Sequence, residues 1–152
     1  MGRNDKLDMQ YMELINEKVH SHYWNDDLNC AITSLLTFSE IFHINLNPEI
    51  LDAGIGMHGA GGYGAQCGLV SGALMFIGIL GKENGLENEA IVRTCYEFAK
   101  GFEKEFGSLD CRVLRPQGFK PDNPPHLCEE ITKKAIMFTL NYLNSLNMTK
   151  LS

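Results

Sequence analysis

Five cysteines are the side chains of this sequence best suited to chemistry, and they are spread over most of its 152 residues. Thiolates bind metal ions, hold iron–sulfur clusters and exchange disulfides. No two of the cysteines form a Cys-x-x-Cys motif, so the common zinc-ribbon, zinc-finger and thioredoxin signatures are absent. Any site that several of them share must therefore be assembled by tertiary folding.

Three of the cysteines fall where we expect helices to begin. Cys30, Cys67 and Cys128 lie in the first turns of predicted helices, where free backbone N–H groups and the helix dipole stabilise a thiolate or a thiolate-bound cluster. Cys111 lies in a proline-rich loop just past a helix end, where backbone freedom suits a ligand or a resolving thiol. Cys95 falls in the middle of a helix on its apolar face, so we expect it to be a core residue.

The elements that must position these cysteines are predicted to be helices. Apolar residues recur at intervals of three to four residues, and no segment alternates with a period of two. Asp26 or Asp27 is the predicted N-cap of the second helix, and Asn47 that of the third. The predicted helices span about residues 5–23, 26–42, 48–55, 68–81 and 86–106, with a last helix after residue 125.

Helix 68–81 is apolar on every face, which indicates a buried central helix. We therefore predict an all-α fold, a compact bundle of five to six helices around this buried helix. With 44% hydrophobic residues the chain can bury a core as one helical domain over residues 1–152. In that domain the N-terminal helix, within residues 1–23, is expected to be peripheral.

Residues 54–72 contain eight glycines together with Cys67. They match G-x-G-x-x-G twice, but that dinucleotide fingerprint needs a preceding strand, and the residues before it are predicted to be helical. We therefore expect no dinucleotide. A flexible connector is one alternative. The other is that glycines before a helix start let backbone amides approach a bulky anionic group, with Gly61, Gly62, Gly64 and Gly68 as candidate contacts.

Four stretches carry a resemblance to a known family: "LNCAITSLLTF", "GGYGAQCGLVSGALMFIG", "FEKEFGSLDCRVL" and "PHLCEEITKKA". In this order and spacing they resemble the C_GCAxxG_C_C family, described as putative redox-active proteins. The motif cysteines correspond in order to Cys30, Cys67, Cys111 and Cys128, which leaves Cys95 outside the motif. The family's Cys-Gly-Ala-x-x-Gly is similar to residues 67–72, except that Leu69 replaces the alanine. The resemblance implies a small helical protein with a four-cysteine centre.

Three uses of the four motif cysteines remain open. They would hold an iron–sulfur cluster or another metal for electron transfer, with amides of the glycine segment bonded to sulfur. The second use is thiol–disulfide exchange without a metal, which would make the protein an oxidoreductase with Cys67 and Cys30 as the catalytic thiols. The third use is structural zinc, with His58 or His126 replacing one cysteine. The chain is thus expected to be an oxidoreductase or an electron-transfer protein.

Other classes have less support from the motifs. A hydrolase or transferase built on a Cys/His pair is a further alternative, but neither Gly-x-Ser-x-Gly nor His-Glu-x-x-His occurs. The remaining histidines, His20, His22 and His43, are interpreted as helix-surface residues.

Charge and hydropathy indicate partners and location. The formal net charge is −6, and no Lys/Arg cluster exceeds the pair Lys133-Lys134, so we expect no nucleic-acid partner and no membrane surface. The longest apolar run, 68–81, is shorter than the roughly 20 residues of a membrane crossing, and the charged N-terminus lacks a signal-peptide pattern. We expect a cytoplasmic protein with a redox protein partner, and apolar helix faces that suit a homodimer.

Overall fold

The fold is all-α, as predicted. The structure is a computed structural model that describes residues 3–148, and the side chains of residues 8–148. Eight helices and no strand occur in this range. They are α1 (Arg3–Trp24), α2 (Cys30–Phe42), α3 (Pro48–Ala53), α4 (Gly59–Gly62), α5 (Gly68–Glu83), α6 (Asn88–Phe106), α7 (Cys111–Leu114) and α8 (Glu129–Ser145).

Five helices are long and build the body of the protein, whereas α3, α4 and α7 have six residues or fewer. The most extensive helix pair is α2 with α5; α1 packs on α8 and α2, and α6 packs on α5. In the described part of the chain, no helix is both long and apolar enough to cross a membrane. The six predicted helices are found, with the short α3 among them, whereas the short helices α4 and α7 are additional.

Aromatic rings hold the long helices together. Phe38 on α2 packs on Phe76 on α5, with ring centroids 5.1 Å apart. Phe98 and Phe102 on α6 are both fully buried, and Phe138 on α8 contacts each of them. Burying one such side chain stabilises the fold by about 1.5–3 kcal/mol. The helix starts that carry the cysteines are therefore held on a closely packed core.

Small residues let α2 and α5 approach closely at their N-terminal ends. A Cβ atom on Gly72 would lie 2.8 Å from the Ala31 carbonyl oxygen, and a Cβ on Gly68 would overlap the Sγ of Cys30. Only glycine leaves room for this contact. The close approach brings Cys30 beside the first turn of α5, immediately after Cys67.

The prediction that Asp26 or Asp27 caps α2 is wrong, because the helix begins at Cys30 with Asn29 as its N-cap. The Asn29 side-chain oxygen accepts a hydrogen bond from the Ile32 N–H at 2.9 Å. Its amide nitrogen donates to the carbonyl oxygens of residues 54 and 55. These tertiary hydrogen bonds to the glycine segment favour Asn29, and not Asp26 or Asp27, as the N-cap of α2. The predicted cap Asn47 is confirmed, since its side chain accepts from the Glu49 N–H.

Candidate functional site

All four motif cysteines lie at helix starts. Cys30 is the first residue of α2, and Cys67 directly precedes α5 as its N-cap. Cys128 directly precedes α8, in the region predicted. Cys111 opens the one-turn helix α7, which was not predicted because four residues are too short for a periodic pattern.

The four motif thiols are brought together in the folded chain. Cys30 interacts electrostatically with the other three, and the remaining pairs among them interact as well. Cys30, Cys111 and Cys128 line one cavity of about 480 Å³. Cys67 is buried, with 6% of its surface exposed, and is not among the residues lining the cavity. The site therefore has three thiols at a cavity and one inside the protein.

Burial raises the pKa of all four thiols above the ordinary value near 9.0, because desolvation disfavours the thiolate. The pKa of Cys67 rises to about 11, although the backbone N–H groups of Leu69 and Val70 oppose the increase. For Cys30 the neighbouring thiols add to the effect of burial, and the Ala31 N–H opposes it. No motif cysteine thus has the lowered pKa of an activated nucleophile.

Hydrogen bonds between two chain segments fix Cys67 relative to Cys111. The Cys67 N–H donates to the Leu109 carbonyl at 2.8 Å, and the Cys111 N–H donates to the Ala65 carbonyl at 2.7 Å. Residues 66 and 110 form an isolated antiparallel bridge between these bonds. Arg112 extends the pairing, since its Nη2 donates to the Tyr63 carbonyl at 3.1 Å. The segment after the glycines is therefore fastened to the segment that carries Cys111.

The glycine segment forms a left-handed turn at α4. Residues Gly59, Ala60, Gly61 and Gly62 have φ of +65°, +55°, +68° and +86°. Left-handed backbone costs roughly 1–2 kcal/mol per residue with a Cβ and little for glycine. This conformation accounts for the glycine density at α4. It also shows that these residues form a defined turn with its own hydrogen bonds, such as Gly62 N–H to the His58 carbonyl at 2.9 Å.

The candidate contact glycines have different surroundings. Gly62 lines the cavity, and Gly68 contacts the Cys30 sulfur. Gly64 packs on the Arg112 side chain, whereas Gly61 has no atom within 4 Å of the position a Cβ would take. Gly59, which was not a candidate, approaches Cys111 so closely that a Cβ would lie 2.9 Å from its sulfur. The backbone of the glycine segment is thus part of the wall around the site.

Two histidines line the cavity. The Asn29 amide donates to His58 Nδ1 at 3.2 Å. His126 has a left-handed backbone with φ of +59°, and its ring stacks on Tyr23 with centroids 5.3 Å apart. Its Nε2 lies 3.7 Å from a carboxylate oxygen of Asp27. Both histidines already have polar neighbours at the cavity.

Tyr23 is a cavity residue that the sequence did not indicate as functional. Its ring is buried, and its hydroxyl shares a 2.7 Å hydrogen bond with the Thr132 hydroxyl on α8. Burial raises its pKa, and Cys30 adds to the increase. The interpretation of His22 as a helix-surface residue is wrong, since only 12% of its side chain is exposed. The reason is that His22 borders the buried face of α1 at Val19 and Tyr23.

The placement of the candidate ligands decides which metal group they could hold. In residues 3–148, no three His, Cys, Asp or Glu side chains are placed to hold one metal ion. Three of the four motif thiols line a cavity, and the fourth, Cys67, is buried. Four cysteines are a usual ligand set both of iron–sulfur clusters and of structural zinc, so the chemistry of the donors fits either group.

Cys95 lies against the core, and Arg115 lies at the cavity. Cys95 packs against the core on α6, as expected, with its Sγ 4.0 Å from the Leu74 carbonyl oxygen. Arg115 lines the cavity and was not predicted. Its spacing of four residues from Cys111 is the signal that could have indicated it, since residues four apart in a helical turn are neighbours.

A family model matches most of the chain. The family model described as "C_GCAxxG_C_C: Putative redox-active protein" matches residues 28–142. That span includes all four motif cysteines. No curated protein and no solved structure matches the chain.

Proposed function

Because the chain belongs to the C_GCAxxG_C_C family, we propose that Cys30, Cys67, Cys111 and Cys128 hold an iron–sulfur cluster used for electron transfer. One observation carries the proposal: four thiols from four separate helix starts interact with one another, three of them at one cavity and the fourth, Cys67, buried. A bound cluster would supply reversible one-electron chemistry at this site.

The residues around the thiols suit a negatively charged sulfur centre. At the starts of α2 and α5, the N–H groups of Ala31 and Leu69 lower the pKa of Cys30 and Cys67 against the larger effect of burial, so they favour negative charge on these sulfurs. Hydrogen bonds to cluster-ligating sulfur are one means by which a protein sets a reduction potential. These amides come from the helix starts, whereas the glycine segment supplies close packing against Cys111.

A mononuclear zinc site has less support than a cluster. Structural zinc needs four ligands at about 2.0–2.3 Å from a single point. In the described part of the chain no three candidate ligands are placed in that way. The histidines proposed as substitutes, His58 and His126, interact with Asn29 and Asp27 instead.

Thiol–disulfide exchange is the second candidate, and one observation favours it. Cys111 and Cys128 line the same cavity beside Arg115, whose charge lowers the pKa of both thiols against the larger effect of burial. An attacking cysteine needs an appreciable thiolate fraction. Since burial raises the pKa of every motif cysteine, the cluster remains the better-supported function.

The test is a set of single Cys→Ser variants purified without oxygen, each analysed for iron, acid-labile sulfide and visible absorption. We expect the wild-type protein and the control Cys95→Ser to contain iron and sulfide in equal amounts. Each of the four motif variants should lose most of both. Iron-free wild-type protein after anaerobic purification and reconstitution would contradict the proposal. Zinc without a visible band would select the mononuclear site.

A further inference from the structure

Arg115 is the one lysine or arginine among the residues that line the thiol cavity. It directly follows α7, and its N–H donates to the Cys111 carbonyl at 2.9 Å. Its side chain is held in place from two sides. The Nε donates to the Gly118 carbonyl at 2.8 Å, and the guanidinium carbon lies 4.8 Å from the centroid of the Phe119 ring. The cation therefore has a defined position at the cavity.

Within the described part of the chain, no carboxylate forms an ion pair with Arg115. Among the described residues, the ion pairs involve two lysines and three histidines, and none includes Arg115. Asp27 is the one carboxylate that lines the cavity. It is 92% exposed and lies 3.7 Å from His126. Arg115 is thus a fixed positive charge at the cavity, and the exposed Asp27 carboxylate lies near His126 and forms no ion pair with Arg115.

That charge acts on two of the thiols. Arg115 interacts electrostatically with Cys111 and with Cys128, both of which line the cavity. A guanidinium stays charged throughout the accessible pH range and is well suited to binding anions. A fixed charge in the wall of a partly enclosed cavity raises the local concentration of oppositely charged small molecules.

We infer that Arg115 makes this cavity selective for small anionic reactants that approach Cys111 and Cys128. The inference rests on the proposed function in taking the motif thiols as the reacting centre, and it names the class of molecule that reaches them. The inference does not depend on which metal, if any, the thiols bind.

The test compares two alkylating reagents that differ in charge. Iodoacetate is an anion and iodoacetamide is neutral; both form a carbon–sulfur bond with the same thiolate and release iodide. The ratio of their rates at one cysteine therefore cancels its thiolate fraction and reports the electrostatic potential that the reagent meets. The rates are measured on the reduced, metal-free full chain by mass spectrometry of the peptides that carry Cys111, Cys128 and Cys95.

In Arg115→Gln, the iodoacetate-to-iodoacetamide rate ratio at Cys111 and Cys128 should fall about three- to tenfold, as expected for one unit charge acting over several ångströms at a partly exposed site. Arg115→Lys should keep most of the ratio, because it keeps the charge. Lys120→Gln removes an exposed cation of the same segment outside the cavity lining and should leave the ratio unchanged. The ratio at Cys95 should not change in any variant.

Three results would overturn the inference. The first is an equal rate ratio in the wild-type protein and in Arg115→Gln, and the second is an equal fall of the ratio in Lys120→Gln. The third is that neither Cys111 nor Cys128 is alkylated in the folded protein, since the cavity would then be closed to such reactants. The outcome is separate from that of the proposed function, because an iron-free protein contradicts the cluster and leaves the rate ratio as expected.

Discussion

The Sγ of Cys30 lies directly against the α carbon of Gly68, in the space that any larger residue at position 68 would fill with its Cβ. This contact joins the first residue of α2 to the first residue of α5. The backbone of α5, which begins immediately after Cys67, therefore sets the position of the Cys30 thiol. The site is therefore sensitive to single methyl groups on the glycines around it.

Gly68→Ala should displace Cys30 and reduce cluster content, and should lower the free energy of unfolding by about 1–3 kcal/mol through overpacking. Gly78→Ala is the matched control on the same helix, because no atom lies within 4 Å of the position its Cβ would take. It should stabilise the protein by roughly 0.5–1 kcal/mol, since alanine is the better helix former. Urea unfolding measures the change in stability, and iron content measures the loss of cluster. Equal stability and equal iron content in the two variants would contradict the contact between Gly68 and the Cys30 sulfur.

A second pair of variants separates backbone strain from contact with Cys111. Gly59 and Gly61 both have left-handed φ, so an alanine at either costs about 1–2 kcal/mol in unfolding free energy. Only at Gly59 would the new Cβ meet the Cys111 side chain. We expect both variants to lose stability in urea unfolding, and Gly59→Ala alone to lose cluster. Similar cluster content in the two variants would show that the close approach of Gly59 to Cys111 is not needed for cluster binding.

The elevated pKa of Cys67 predicts how stability of the metal-free protein depends on pH. The unfolded thiol loses its proton near pH 9.0, whereas the folded one keeps it until about pH 11. The folded state therefore binds more protons in this window, and stability falls as pH rises through it. The contribution of Cys67 is about 2–3 kcal/mol, present below pH 9.0 and lost by pH 11. Urea unfolding of Cys67→Ser should show a shallower decline; an unchanged slope would contradict the pKa shift.

The hydrogen bond between Tyr23 and Thr132 predicts a coupling between α1 and α8. Tyr23→Phe leaves a buried hydroxyl on Thr132 without this partner, which should cost about 1–3 kcal/mol of unfolding free energy. The double variant with Thr132→Val should cost less than the sum of the two single changes, because both polar partners are then removed. Strict additivity in the double-mutant cycle would show that the two hydroxyls do not interact.

The sequence predicted those parts of the fold that depend on local patterns. The apolar run 68–81 became α5, and Asn47 caps α3 because its side chain acts within its own turn. The cap of α2 was misassigned since the choice of Asn29 depends on the carbonyls of residues 54 and 55, which are distant in sequence. Helix periodicity contains no information about such tertiary bonds.

The candidate site was predictable in its residue types and not in its geometry. The positions of Cys30, Cys67 and Cys128 relative to helix starts follow from local patterns. The left-handed turn at α4 could not be read from glycine density, which equally fits a flexible connector. The cavity and the place of Arg115 in it result from packing of distant segments.

The central claim is tested most directly by a reductive titration of the anaerobically purified protein, with absorption spectra and free-thiol counts recorded at each step. A bound cluster predicts a visible band that is bleached by reductant and restored by oxidant, with no change in the number of free thiols. A colourless protein whose thiols disappear in pairs on mild oxidation and return on reduction would contradict it, and would assign the four cysteines to disulfide chemistry.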